Sequence, residues 1–295
     1  MTRGAAARGS ATGAVGLVVA GLACQEVGAS VAVLLFDRVG PLGMVMLRLL
    51  FSALVLMLIA RPALRGHSRR DWAAVVQFGL VLAVMNGLFY LALERLLLGV
   101  TVTIEVLGPL ALSIIAGRRA SSWLWAGLAL AGVVALAGGG WDRLDALGVV
   151  FALGAAAAWA YYILSSARVG AAFPKLDGLA LAMTIGALVS LPFGIVQAQG
   201  ALLRIDILAL GAAVAILSST LPYAFELVAL RRLPASAFAI LMSLAPAVAA
   251  LAGFVLLGQH LAALEIVGIA LVIAASIGAV RAAGRRARKG VEPVA

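Results

Sequence analysis

Four ionisable residues lie inside long apolar stretches of this 295-residue sequence: Glu26, Arg48, Glu105 and Glu226. A charged side chain at the centre of a bilayer costs about 2.5–3.5 kcal/mol on insertion scales, so each one needs a structural or chemical reason to be there. Carboxyl and guanidinium groups in such places pair with one another, bind charged molecules or exchange protons. These four residues are therefore the first candidates for function.

Glu26 and Arg48 fall at similar depths in neighbouring apolar stretches, roughly 9 to 15 Å from the same membrane face at the rise of a helix. Two interpretations are open. The side chains form an ion pair that fixes the packing of two helices, or they present opposite charges to the ammonium and carboxylate groups of a zwitterion.

Glu105 has no basic residue in its own apolar stretch and shortly precedes Gly108-Pro109. A carboxyl group that gains and loses a proton is what a proton-coupled transporter needs, and a hydrogen-bonded structural acid is the alternative. Glu226 lies about one turn from the end of its stretch, where a structural role is favoured because the side chain can snorkel or pair with Arg231.

Uncharged polar and aromatic side chains add further candidates. Asn86 and Tyr90 are four residues apart and so share one helix face, and Tyr223 falls in the equivalent region of a later stretch. Trp159 and Tyr162 lie within another apolar stretch. All five are candidates to line a cavity, although Trp159 could equally pack within a helix bundle.

The composition places these residues in a membrane protein. Hydrophobic residues make up 64% and charged residues 12% of the chain, and the mean hydropathy is +1.15. A spanning helix needs about 20 apolar residues. This length predicts an all-α integral membrane fold with ten spans: Gly13–Phe36, Leu42–Ala60, Trp72–Leu93, Gly99–Gly117, Ser122–Gly140, Ala146–Ala167, Gly178–Gln199, Ile207–Leu230, Pro234–Gly258 and Leu261–Val280.

The basic residues indicate orientation, since cytoplasmic loops retain Lys and Arg. With the N-terminus inside, the outer loops hold only Arg38, Arg95, Arg143 and Arg204 of the 22 basic residues, and Arg48 lies within a span. Both termini are therefore expected in the cytoplasm. Scattered basic residues also argue against a nucleic-acid partner, despite the formal charge of +10.

An internal repeat relates the two halves of the chain. A shift of 137 residues aligns the segment 92–96 with 229–233 and Pro109 with Pro246. Because each half has an odd number of spans, the copies are expected to have opposite topology. The domains predicted are a first five-helix repeat at 13–140, a second at 146–280 and a cytoplasmic basic tail at 281–295.

Motifs for enzymes and cofactors are missing from the sequence. It contains no Gly-Lys-Ser/Thr phosphate loop and no Gly-x-Ser-x-Gly nucleophile turn. Its only histidines, His67 and His260, are far apart, so a metal site is not expected. We therefore expect neither an enzyme nor a bound cofactor.

Several segments together resemble a known family. They are Met85-Asn86-Gly87-Leu88-Phe89-Tyr90, Glu105 with Gly108-Pro109-Leu110-Ala111, Trp159 to Ser165, and Ala215 to Glu226. They are similar to the EamA-type drug/metabolite transporter superfamily and, within it, to the bacterial inner-membrane exporters of threonine and homoserine. The likeness extends from Gly28 to Ser276. One departure is Gln259, where such proteins usually carry Glu.

The resemblance implies ten helices in two inverted five-helix repeats around a central cavity. It also implies efflux of small amino acids against protons, in a monomer or homodimer surrounded by lipid, with the candidate residues above lining the route. A broad exporter of drugs or metabolites is the main alternative, although such a site would be more aromatic and less charged. A transferase acting on lipid-linked substrates is a weaker one, because the loops are short and hold only Asp142 and Asp145 as an acidic cluster. A scaffold protein would have no use for carboxyl groups within the membrane.

Overall fold

The computed structural model describes residues 2–117, 120–136, 145–230, 233 and 235–289. Within these ranges, the side chains that it does not describe are those of 2–12, 113, 116–117, 120–122, 223–224, 226–227, 230, 235–237 and 282–289. Arg143, Arg231, Asp142 and the end of the basic tail therefore lie outside the described residues.

The described residues form helices joined by short turns, and no strand occurs among them. The helices are α1 (Thr2–Leu34), α2 (Phe36–Ala60), α3 (Arg69–Leu93), α4 (Leu98–Glu105), α5 (Leu107–Gly117), α6 (Ala120–Leu136), α7 (Ala146–Ala172), α8 (Asp177–Ala198), α9 (Ile205–Ala215), α10 (Leu221–Leu230), α11 (Ala235–Met242), α12 (Ala245–Leu257) and α13 (Ala263–Lys289). A π-helical turn, Ile216–Thr220, joins α9 to α10.

Seven stretches within the described part of the chain are long and apolar enough to cross a membrane. They are Gly13–Leu34, Phe36–Ala60, Arg69–Leu93, Ala146–Ala172, Asp177–Leu203, Phe238–Leu257 and Ala263–Arg281. Three shorter apolar helices are Leu98–Leu112, Trp123–Leu136 and Ile205–Thr220. The prediction of an all-helical, multi-pass membrane protein is confirmed.

The helix ends follow from local sequence. Ser68 and Asp71 form a capping box at the start of α3, each side chain accepting from the other's backbone N–H at 3.2 and 2.8 Å. Gly40 breaks the first turn of α2 with a φ of 69°, and the Gln197 side chain accepts from the N–H of Leu42 just after the break. Gly258, with a φ of 64°, ends α12.

Three of the predicted spans are interrupted in the structure, whereas the sequence analysis predicted each of them as one continuous helix. The breaks come after Glu105, within Ile216–Thr220 and after Met242. Each lies at or beside the fourth residue before a proline, namely Pro109, Pro222 and Pro246. Proline has no N–H and its ring clashes with the carbonyl four residues earlier, so the regular helix cannot continue through these points.

Helices from the two halves of the chain pack closely together. The principal packed pairs are α2 with α8, α3 with α7, α6 with α13, α3 with α8, α1 with α10, and α4 with α12. Small residues permit some of these approaches. A Cβ atom on Gly108 would collide with the backbone carbonyl of Ala156 on α7. Helices α5 and α7 can therefore touch only with glycine at this position.

We expect Gly108→Ala to destabilise the bundle by about 1–3 kcal/mol, because Ala156 presents backbone that cannot move aside as a side chain would. The matched control is Gly127→Ala on α6, where an added Cβ meets nothing within 4 Å. Thermal unfolding in detergent should show a lower midpoint for Gly108→Ala and no decrease for Gly127→Ala. Equal midpoints for the two variants would contradict the tight contact.

Ion pairs join the loops at one end of the bundle. Arg95 contacts Asp145 at 3.2 Å, and Arg38 and Arg204 contact Asp206 at 3.5 and 2.9 Å. Asp145 also caps α7: the N–H of Gly148 donates to its carboxylate at 2.6 Å, and this bond together with Arg95 holds the pKa of Asp145 below its usual value. These pairs are solvent-exposed, so they orient the loops more than they stabilise them.

Candidate functional site

A cavity of about 660 Å³ lies in the middle of the helix bundle. Helices α1 to α5, α7, α10, α11 and α13 contribute to its wall, together with the π-helical turn. The wall includes these predicted residues: Glu26, Arg48, Asn86, Glu105, Trp159 and Tyr162. Five separate helices thus bring the six side chains to one cavity.

The other three predicted residues are placed differently. Tyr90 is fully buried behind the wall, where its ring packs against Phe36 and Phe89 at centroid distances of 5.7 and 5.9 Å. Tyr223 and Glu226 belong to α10, but their side chains are outside the described part of the structure.

Arg48 is held from two sides. Its Nε donates to Ser219 Oγ at 3.4 Å and its Nη2 donates to the backbone carbonyl of Ser218 at 3.1 Å. Its Nη1 donates to Tyr90 Oη at 3.4 Å, and the guanidinium carbon lies 5.7 Å from the centroid of the Tyr90 ring. Arg48 thus connects α2, α3 and the π-helical turn at the cavity wall.

The carbonyl of Ser218 is available because of Pro222. In a regular helix this carbonyl would accept from the N–H four residues later, and proline has none. The chain forms a π-helical turn here, and Arg48 supplies the missing donor. Gly28 on α1 lies directly against this turn, since a Cβ at that position would collide with Ser218. The proline and the glycine together shape the seat of the arginine.

Glu26 and Glu105 lie near Arg48 without forming the predicted ion pair. Glu26 is 1% exposed, and its Oε2 atom has no hydrogen-bond partner among the described residues. Glu105 is half-buried at the end of α4. The salt bridges between described side chains are at the loops and do not include Glu26 with Arg48. The Glu105 carboxyl acts electrostatically on Glu26, and Arg48 acts on both acids.

Of the two interpretations of Glu26 and Arg48, the direct ion pair does not occur among the described side chains: Arg48 donates to the Ser218 carbonyl and to Tyr90. The sequence also showed no basic neighbour for Glu105, and the structure supplies one from α2. Two carboxyl groups and one guanidinium therefore line the same cavity. Such a cluster can bind a zwitterion and can take up or release a proton.

Other cavity residues were missed by the sequence prediction. Phe89, Phe238 and Met242 line the wall, as does Ser276. An apolar side chain in a spanning helix resembles ordinary packing, so hydropathy gives no signal for it. The 137-residue repeat does give a signal for Met242, because Met242 is at the repeat position equivalent to Glu105 in the first half.

Gln259 has a structural role in the loop after α12. Its Oε1 accepts from the backbone N–H of Leu98 at 2.9 Å and so caps the start of α4. A glutamate would offer the same kind of oxygen acceptor. The replacement of Glu by Gln is therefore compatible with this cap.

Comparison with known proteins places the chain among transporters. The model of the EamA-like transporter family matches residues 146–281. The chain is 40% identical over 253 residues to the threonine/homoserine exporter RhtA of Salmonella typhimurium strain SL1344, covering 85% of each chain. It is 38% identical over 264 residues to the RhtA exporter of Escherichia coli strain K12, covering 89% of each.

The fold also matches a solved crystal structure with a TM-score of 0.62 and 18% identity, over 95% of this chain and 99% of the other. That likeness supports the fold alone. Because the curated relatives are exporters and the matching family is one of transporters, the chain is not an enzyme. At 38–40% identity over most of its length to these exporters, the chain belongs to the EamA-like transporter family.

Proposed function

We propose that the chain exports threonine, homoserine and similar small amino acids across the inner membrane of a bacterium. The observation that carries this proposal is the mid-bundle cavity whose wall includes Arg48 together with two carboxyl groups, Glu26 and Glu105. Its similarity to threonine/homoserine exporters over 85–89% of the chain supports the same conclusion.

In this proposal the opposite charges of the site bind the two ends of the amino acid. Arg48 binds the carboxylate, because a guanidinium presents several donors in a planar fork. Glu26 binds the ammonium group, and its buried Oε2 atom supplies an acceptor. Asn86 donates to the Leu82 carbonyl at 2.8 Å, which fixes its amide at the wall within reach of a polar side chain of the cargo. Trp159, Tyr162, Tyr223 and Glu226 complete the proposed route.

Everted membrane vesicles test the function. With an acidic lumen, vesicles that contain the protein should accumulate labelled threonine above the level of vesicles without it. Unlabelled homoserine should reduce this uptake by competing for the same site. Failure to take up any small amino acid above the empty-vesicle level would overturn the proposal.

Glu105 is proposed to carry the coupling proton. One charge that crosses 100 mV releases about 2.3 kcal/mol. At about 1.4 kcal/mol per tenfold concentration ratio, this energy sustains a gradient of about fortyfold. A single carboxyl group that exchanges its proton between the two faces is therefore sufficient for export. Its location at the break between α4 and α5 gives it a position that a rearrangement of the helices would move.

We propose ten spans, with both termini in the cytoplasm. Seven long apolar helices and three shorter ones account for the number, and the predicted outer loops carry few basic residues. Cysteine labelling in a Cys24→Ala background tests it. A cysteine at position 200 should react in intact cells, whereas one at position 2 should react only after permeabilisation. Reaction of both in intact cells would contradict this topology.

The two five-helix halves, 13–140 and 146–280, are proposed to be inverted repeats. The shift of 137 residues maps α4 onto α11, including the break that follows each helix. In the same correspondence α3 matches α10 and α7 matches α1, so the packed pair α3–α7 has a counterpart in the packed pair α1–α10. Helix α2 matches α8 and α6 matches α13, so each of these two packed pairs is its own counterpart. These correspondences support an inverted architecture, in which the site lies at the repeat interface.

The same symmetry supports a state open to the cytoplasm. Helix α4 packs against α12, while their repeat counterparts α11 and α5 both line the cavity, for example through Met242 and Pro109. In this proposal the half of the interface near the ion-paired loops is closed and the opposite half is open. In the proposed topology the opening faces the cytoplasm, where an exporter collects its cargo. The proposed unit is a monomer or a homodimer.

A further inference from the structure

We propose that Tyr90 is a positioning residue for cargo recognition: its hydroxyl holds the guanidinium of Arg48 in the orientation that binds the carboxylate of the amino acid. This inference rests on the proposed function, in which Arg48 binds that carboxylate, and it adds a residue that acts through Arg48. It comes from the burial of Tyr90 and from the hydrogen bonds that hold Arg48.

Tyr90 lies behind the cavity wall. Its neighbours on α3, Asn86 and Phe89, line the wall, whereas Tyr90 is 0% exposed and belongs to a hydrophobic core cluster. A buried hydroxyl costs free energy unless it is hydrogen-bonded, and phenylalanine would fill the same space without that cost. The hydroxyl therefore needs a partner, and Arg48 Nη1 donates to it at 3.4 Å.

The ring of Tyr90 gives this hydrogen bond a firm support. It packs against Phe36 at the start of α2 and against Phe89, with ring centroids 5.7 and 5.9 Å apart. Two bulky neighbours limit the movement of the ring. The guanidinium carbon of Arg48 lies 5.7 Å from the centroid of the Tyr90 ring, so the ring also attracts the positive charge.

Hydrogen bonds from all three nitrogens fix the plane of the guanidinium. Nε donates to Ser219 Oγ at 3.4 Å and Nη2 donates to the Ser218 carbonyl at 3.1 Å, both in the π-helical turn. The bond from Nη1 to Tyr90 connects the guanidinium to α3. Because a guanidinium binds a carboxylate best through two parallel N–H···O bonds, the orientation of its plane affects the affinity for the cargo.

The acceptors in these three bonds are hydroxyl and carbonyl oxygens, which carry no formal charge. They orient Arg48 without adding a negative charge that would compete with the carboxylate of the cargo. Loss of the Tyr90 hydroxyl would leave Arg48 bound to the π-helical turn, but it would allow the plane of the guanidinium to rotate. We therefore expect weaker binding of the carboxylate, with Arg48 still at the cavity wall.

The substitution Tyr90→Phe tests the hydroxyl, because it keeps the ring and removes only the oxygen. Two compounds compete with labelled homoserine for uptake into everted vesicles: threonine, and the amino alcohol that carries a CH₂OH group in place of its carboxylate. We expect the ratio of their inhibitory potencies, which favours threonine in the wild type, to fall about 3- to 10-fold, as for the loss of one hydrogen bond. The amino alcohol should keep its wild-type potency, since it has no carboxylate to bind.

Two further variants separate positioning from packing. Tyr161→Phe on α7 removes a hydroxyl that accepts from Gln77 Nε2, and it should keep the wild-type ratio. In an Arg48→Gln background, Tyr90→Phe should cause no further loss of threonine potency, because a residue that acts only through Arg48 has no effect without it. Inhibitory potency does not depend on the amount of inserted protein, so poor insertion does not imitate these results.

The outcomes separate this inference from the export function. Equal losses of potency for threonine and the amino alcohol in Tyr90→Phe would assign Tyr90 to helix packing and overturn the positioning role. An unchanged ratio in Tyr90→Phe would overturn it as well and leave both homoserine export and the role of Arg48 standing. A wild-type protein that takes up homoserine but prefers neither competitor would overturn the carboxylate role of Arg48, and the positioning role with it.

Discussion

Replacing Glu105 with glutamine should abolish accumulation of threonine against a gradient while the protein still inserts in the membrane. Glutamine has nearly the same shape as glutamate and keeps a hydrogen-bonding side chain, but it cannot release a proton. The expected accumulation in everted vesicles at 100 mV therefore falls from as much as about fortyfold to no more than the outside concentration.

Two further measurements separate proton coupling from binding. Exchange of labelled for unlabelled threonine needs binding and movement but no net proton transfer, so Glu105→Gln should retain it. The control Glu94→Gln changes an exposed glutamate in the loop after α3 and should accumulate threonine normally. Full accumulation by Glu105→Gln would refute the proton role, and loss of exchange as well would assign Glu105 to cargo binding.

The helical membrane fold could be predicted because lipid imposes a simple rule on sequence. Each crossing needs a long apolar stretch with its backbone bonded internally, and this pattern is visible along the chain. Hydropathy averaging conceals the breaks at Glu105 and Met242, since the residues on both sides are apolar. Proline at the fourth position beyond each break was the available signal, but α8 continues through Pro192, so proline alone does not mark a break.

The candidate site was predictable only in part. Intramembrane charge identified Glu26, Arg48 and Glu105, because such groups need a reason to be in lipid. The partners of Arg48 could not be predicted, since Ser218 is 170 residues away in the chain and its carbonyl becomes available only through the π-helical turn. Apolar residues that line the cavity, such as Phe238, have no sequence feature that distinguishes them from apolar residues that only pack between helices.

Arg48→Gln should remove the preference of the transporter for a carboxylate on its cargo. A hydrogen bond to a charged group contributes about 1.5–3 kcal/mol, which corresponds to about 10- to 150-fold in affinity. Wild-type protein should therefore bind threonine that much better than the amino alcohol that carries a CH₂OH group in place of the carboxylate. In Arg48→Gln the two compounds should inhibit uptake of labelled homoserine with nearly equal potency.

This comparison distinguishes a binding role from a structural one. Arg48 also joins the Ser218 carbonyl to Tyr90, so its loss is expected to weaken the helix packing and reduce transport of every cargo. A purely structural arginine would lower the affinity for both compounds by the same factor and leave their ratio intact. Arg38→Gln, which changes an exposed arginine in the first turn of α2, supplies the matched control and should keep the wild-type ratio. A carboxylate preference that survives in Arg48→Gln would show that another group binds the acid end of the cargo.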